Sequence, residues 1–234
     1  MLSDRLVAAG CFRPGVLYEG LKHSRPKLSR WPVSLPITLS SLAVEPLAWL
    51  QSSLYSRVLA QVVLPQVPIV VIGYWRSGTT YLHQLLACDP TIATARNALT
   101  VATQVALLLK PWLRTLIHRW MMSQRTIDVV SRGPDDPQED EMGLARLTMD
   151  TNMAFPQAYQ FHFGRSVLAT SRAFEHQWLH FIKLTWLHEA PGKKELLINN
   201  SAHTARVRFI LRHSPRARFV LLRQEPIESI HSLV

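Results

Sequence analysis

Eight consecutive residues, Gly73, Tyr74, Trp75, Arg76, Ser77, Gly78, Thr79 and Thr80, bring together two glycines, a guanidinium and a set of hydroxyls. They follow a short β-branched run, Pro68, Ile69, Val70, Val71 and Ile72, and precede leucines at helical spacing, Leu82, Leu85 and Leu86. A loop between a strand and a helix points its backbone N–H groups and the helix N-terminus at one spot, which favours phosphate. Ser77, Thr79 and Thr80 add hydroxyl donors, and Arg76 adds a planar fork suited to phosphate oxygens. Loops that cradle triphosphates carry a Lys after the second glycine, which reaches the β- and γ-phosphates. Thr79 stands there instead. The loop therefore suits a nucleotide with one 5′-phosphate better than a triphosphate.

An acidic cluster, Glu139, Asp140 and Glu141, opens a stretch that turns apolar. Clustered carboxylates raise one another's pKa, which can poise one as a general base. Glu141 is favoured over Glu139, and their spacing keeps both from facing one site squarely. His83 lies one helical turn past Thr79 and Thr80, so it either approaches the bound nucleotide or packs. His203 and Arg206 open the helix after a later strand and either contact a ligand or hold the surface. Cys11 and Cys88 lack metal-ligand spacing, and the ten histidines form no HExxH motif. No metal site is expected, and a reducing, cytoplasmic setting is the simplest reading.

Residues 68–90 resemble the 5′-phosphosulfate loop of PAPS-dependent sulfotransferases, in the bacterial-type branch reading G-x-W-R-S-G-T-T-x-L-H-N-L-L. Residues 136–141, 201–206 and 218–232 resemble that branch's P-Q-E-x-E motif, its N-P-A-H-T-A-R stretch and its 3′-phosphate strand–helix unit. The resemblance implies transfer of a sulfuryl group from 3′-phosphoadenosine 5′-phosphosulfate to a hydroxyl or amine, in line and without a metal. It implies that Trp75, Arg76, Ser77, Gly78, Thr79 and Thr80 hold the 5′ end, with Arg76 stabilising the departing phosphate oxygen. Arg223, Gln224 and Ser232 would meet the 3′-phosphate. The chain departs from the pattern at Asn199, where lysine is usual, and at Gln224, where arginine is usual. Arg223 sits one residue earlier, and successive strand side chains point to opposite faces. The family also continues well past the serine matched by Ser232, so the chain is expected to be truncated at its C-terminus.

These residues need a frame. The strand at 68–73, the helix at 78–87, strands at 195–199 and 218–222 and a helix at 202–213 between them predict an α/β fold with a P-loop-type central parallel sheet. A long helix broken near Pro111 is expected over 101–122, and further helices start near Gln138 and over 161–188. Residues 1–66 read as a helical or irregular lead-in, and 67–234 as one domain. Within the lead-in, residues 31–50 are apolar, but Pro32, Pro36, Pro46, Glu45 and several serines interrupt them. That argues against a span and leaves either packing on the domain or a peripheral membrane contact. The 234 residues carry a net charge of +10 and a pI near 10.2, with 47% hydrophobic and 18% charged residues. Such a chain is globular and attracts anions. Its basic residues are scattered, so no nucleic-acid surface is expected. The expected partners are a nucleotide sulfuryl donor and a hydroxylated small-molecule, lipid or glycan acceptor. A non-catalytic binding protein of the same fold and a P-loop kinase or NTPase are the alternatives.

Overall fold

In a computed structural model, the described residues are 12–24, 29, 31–74, 77–118, 133–148 and 171–224. The frame is a four-stranded parallel sheet in the order β2-β3-β1-β4, with β1 Ile69–Gly73, β2 Ile92–Thr94, β3 Glu195–Asn199 and β4 Arg218–Leu222. β1 is central and apolar, and Val70 and Val71 are fully buried, as a covered parallel strand requires. The chain leaves β1 toward β2 on one side and leaves β3 toward β4 on the other. That reversal opens a crevice at the carboxyl ends of β1 and β3, where ligands of open α/β sheets bind.

The helices are α1 Pro14–Ser24, α2 Trp31–Gln61, α3 Thr79–Leu86, α4 Asn97–Val101, α5 Lys110–His118, α6 Asp140–Leu147, α7 Arg172–Glu189 and α8 Val207–His213. The core joins sheet to helices through Leu99, Leu144, Phe174, Trp178, Phe181, Leu196 and Ile210. Gly143 lets α6 lie against α7: a Cβ there would fall 2.2 Å from the Phe181 ring.

Two local outcomes differ from the sequence expectation. Over 101–118, the described part of the expected long helix, the chain is instead the end of α4, a 3₁₀ turn at Thr103–Val105 and α5, with Pro111 in the first turn of α5 where its missing N–H costs nothing. The helix over 202–213 splits into a 3₁₀ turn, Ser201–Ala205, and α8, because the Asn200 side chain caps the Ala202 N–H at 2.9 Å. In α2 the prolines do not stop the helix, which runs through Pro36 and Pro46 for 31 residues, about 46 Å at the usual rise. Gln51 ties its inner face to the Thr103 carbonyl and to the Leu107 and Leu108 N–H groups. Its outer face from Leu35 through Leu39, Leu42 and Leu47 to Trp49 and Leu50 is exposed and uncharged, with Trp49 67% exposed. No helix among the described residues is long and apolar enough to cross a membrane.

Candidate active site at the carboxyl edge of the sheet

The phosphate loop leaves β1 at Gly73 and enters α3 at Thr79. Gly73 has no room for a side chain: a Cβ would sit 2.8 Å from both the Leu222 carbonyl and Ser77 Oγ. Gly78, the residue before α3, has φ +87°, a conformation that favours glycine. Ser77 closes the loop by donating to the Tyr74 carbonyl from both its N–H (3.2 Å) and its Oγ (2.7 Å). Ser77 and Thr79 are buried, and Thr80 is half-buried. Trp75, Arg76 and Ser232 lie outside the described residues.

Thr204, from the turn after β3, clasps the loop's first residue. Its Oγ1 accepts from the Gly73 N–H at 3.1 Å and donates to the Gly73 carbonyl at 3.3 Å. On the other side of β1, Gly73 pairs in register with Leu222. β4 ends there, so exposed Arg223 and Gln224 emerge beside the loop free of strand alternation.

The acidic turn is stapled to the exit of β2. The Gln138 N–H donates to the Ala95 carbonyl at 2.8 Å, and Gln138 Nε2 to Asn97 Oδ1 at 3.0 Å. From there α6 sends Asp140 and Glu141 into a sealed polar network. Glu141 is fully buried and accepts from Arg206 Nη1 at 2.8 Å, Arg206 Nη2 at 3.3 Å and Asn200 Nδ2 at 2.5 Å. Arg206 is buried too, with its guanidinium 4.3 Å over the Phe174 ring. Asp140 accepts from His203 Nε2 at 2.7 Å, Asn200 Nδ2 at 2.7 Å and Trp178 Nε1 at 3.2 Å. Burial pushes the Asp140 carboxyl up, but His203, Asn200 and Arg206 together pull it below the usual range. His203 Nε2 and the Arg206 Nη atoms therefore donate to the chain's own carboxylates, while His203 Nδ1 and Arg206 Nε are buried without a hydrogen-bond partner among the described residues.

A general base must touch the proton it removes. Glu141 has no exposed surface, and Arg206 and Asn200 occupy its oxygens, so its geometry serves structure. Glu139 is half-buried at the residue preceding α6, on the rim of this network. His83 is also turned inward. It is buried, with Nε2 2.7 Å from Thr94 Oγ1 and Nδ1 3.1 Å from Asn199 Nδ2. The Asn199 amide donates to Nδ1, which leaves Nε2–H to donate to Thr94. Burial lowers the His83 pKa to about 3, with Asp140 raising it and Arg96 lowering it. It is a neutral imidazole under the crevice, and Asn199 is its partner. Among the described residues no group of three or more His, Cys, Asp or Glu could hold a metal.

Asn200 and Thr204 were not singled out in the sequence. A doublet of Asn199 and Asn200 at a strand end is the local sign of a capping side chain. Thr204 gives no comparable signal, because its partner lies 131 residues away.

The profile of the sulfotransferase family matches residues 68–234. The chain belongs to the sulfotransferase family. Among curated proteins it resembles the omega-hydroxy-beta-dihydromenaquinone-9 sulfotransferase Stf3 of Mycobacterium bovis and of Mycobacterium tuberculosis, each 24% identical over 206 residues. The match takes in 85% of this sulfotransferase-family chain and 52% of each relative, so the chain spans about half their length. The fold is that of sulfotransferase STF1 from Mycobacterium tuberculosis, with a TM-score of 0.60 at 17% identity over 98% of this chain and 63% of that one. STF9 from Mycobacterium avium gives 0.54 at 15% identity, over 95% and 65%.

Proposed function

We propose that this sulfotransferase-family chain transfers a sulfuryl group from 3′-phosphoadenosine 5′-phosphosulfate to a hydroxyl of a lipid or other apolar acceptor. The carrying observation is the convergence at one sheet edge. The phosphate loop, the acidic turn and the turn after β3 meet there, joined by Thr204 to Gly73 and by Asn200 to Asp140 and Glu141. In the proposed step the acceptor oxygen attacks sulfur, the bond from sulfur to the 5′-phosphate oxygen breaks, and the acceptor proton passes to a carboxylate. We assign that carboxylate to Glu139 in place of Glu141, because only Glu139 keeps exposed surface. Ser77, Gly78, Thr79 and Thr80 hold the 5′-phosphate, and Arg76 with Trp75 completes that end. Arg223, Gln224 and Ser232 take the 3′-phosphate, with Arg223 supplying the cation that Gln224 lacks.

Two things support a lipid acceptor. Stf3 is named for a hydroxylated menaquinone, and the uncharged outer face of α2 suits peripheral contact with the membrane where such lipids reside. A non-catalytic binding role is the second reading, favoured by Asn199. It stands where the family carries lysine and is spent on His83. Calorimetry separates these readings. Adenosine 3′,5′-bisphosphate should bind at micromolar concentration without Mg²⁺. No binding at millimolar nucleotide rejects transferase activity, and Mg²⁺-dependent ATP binding restores the kinase reading.

A further inference from the structure

A cavity of about 520 Å³ lies between α2 and α7, away from the carboxyl edge, and falls within the roughly 300–1,000 Å³ of small-molecule sites. Leu59 and Leu179 supply apolar wall. Arg13, His176, His180 and Lys183 also line it, and none of its described lining residues is Asp or Glu. Glu45 of α2 bonds Arg13 at 2.8 Å, and Glu175 of α7 turns to His213 at 2.9 Å. Arg146, at the end of α6, stacks on the Phe12 ring. Lys183 therefore faces no carboxylate among the described lining residues. His176 and His180 are one turn apart on α7. Burial holds His180 below the ordinary histidine value, and His176 and Arg13 add to that.

Gln104 is the second, independent sign. Its side chain lines the cavity, the residue is 5% exposed, and neither Oε1 nor Nε2 has a hydrogen-bond partner. A buried amide with both ends unmet is costly, and a ligand that meets it removes the cost.

We infer that this cavity binds a single-chain amphiphile with an anionic head, a carboxylate or a phosphate monoester. The tail lies on Leu59 and Leu179. The head takes the Gln104 Nε2–H and pairs with the Lys183 ammonium, beside His176 and His180. Lys183 Nζ spends one donor on the Ala60 carbonyl at 3.3 Å and keeps others for the head. The cavity shares no lining residue with the phosphate loop, the acidic turn or the turn after β3, so this inference stands apart from the transfer reaction.

The test is calorimetric titration of the chain with dodecanoate, dodecyl phosphate and dodecanol, each below its micelle concentration. One anion should bind with unit stoichiometry, about tenfold or more tighter than dodecanol, as a charge-assisted hydrogen bond predicts. The tighter anion names the head group. Ser52→Trp, which fills the cavity from α2, should abolish binding. Gln104→Leu and Lys183→Gln should each weaken it about tenfold. Lys183 is only half-buried, so that variant keeps the fold testable. Because the anion favours protonated His180, affinity should rise from pH 8 to pH 6, and His180→Ala should flatten that rise. Saturating adenosine 3′,5′-bisphosphate should leave dodecanoate binding unchanged. Equal affinity for dodecanol and both anions overturns the inference, as does indifference to Ser52→Trp or displacement by the nucleotide.

Discussion

Glu139 and Glu141 stand two residues apart on one acidic turn, yet Glu141 is sealed in the network and Glu139, the proposed base, keeps exposed surface. Glu141 is the buried half of an ion pair with Arg206. Removing one partner of such a pair leaves a buried charge uncompensated, at about 3–5 kcal/mol. Glu141→Gln should therefore lower the urea midpoint sharply. Glu139→Gln should leave the midpoint alone and reduce turnover about 10²- to 10⁴-fold, the usual contribution of a positioned base. Full turnover in Glu139→Gln would remove it from the mechanism. His83 gives a pH signature. Its folded pKa, about 3, lies below its unfolded 6.5. Between those values the unfolded chain binds the extra proton, so stability falls as pH drops below 6.5 and is complete above it. The His83 share of that slope approaches about 1.4 kcal/mol per pH unit. His83→Gln should remove it, measured as denaturant stability at pH 7, 5.5 and 4.5. An unchanged slope would mean that His83 is not the buried neutral base described.

At the scale of elements, β1, the loop and α3 act together because Thr204 holds the first residue of the loop from another strand's turn. Thr204→Val keeps the volume and loses the clasp. Nucleotide affinity should fall about tenfold, the worth of a hydrogen bond, with a small change in melting temperature. Wild-type affinity would show that the loop holds its shape alone. This clasp also marks how much the sequence discloses. The loop was legible because its glycines, hydroxyls and flanking periodicity are local. The acidic turn was legible as a cluster of carboxylates, but the partners of its members were not. Arg206 is 65 residues from Glu141, and nothing near Glu139 says which carboxylate it takes. β2 was missed because three residues, Ile92–Thr94, show no alternation, and it becomes a strand only by pairing with β3. In α2, Pro36 and Pro46 were read as interrupting an apolar run, within a lead-in read as helical or irregular. Both are exposed, so their rings point outward and tertiary packing of the inner face carries the helix through them.

For the whole molecule, the proposed membrane contact rests on net charge and on the outer face of α2. A chain of charge +10 is drawn to anionic surfaces over about a Debye length, and an uncharged face of leucines with Trp49 can settle into the interface once there. Leu39→Glu with Leu50→Glu should cut co-sedimentation with phosphatidylglycerol vesicles by about tenfold and leave the melting temperature unchanged. Equal sedimentation would leave charge as the whole attraction. The buried network has a consequence of another kind. The Asn200 oxygen is committed to the Ala202 N–H, so its nitrogen alone faces Asp140 and Glu141. Exchanging that one nitrogen for oxygen, as in Asn200→Asp, turns a shared donor into a third anion within a sealed space. Like charges at that distance drive one another to protonate or part. Asn200 is thus the one side chain among the described residues that bonds both carboxylates, in one orientation of its amide, and redesign through α6 has to leave that amide in place.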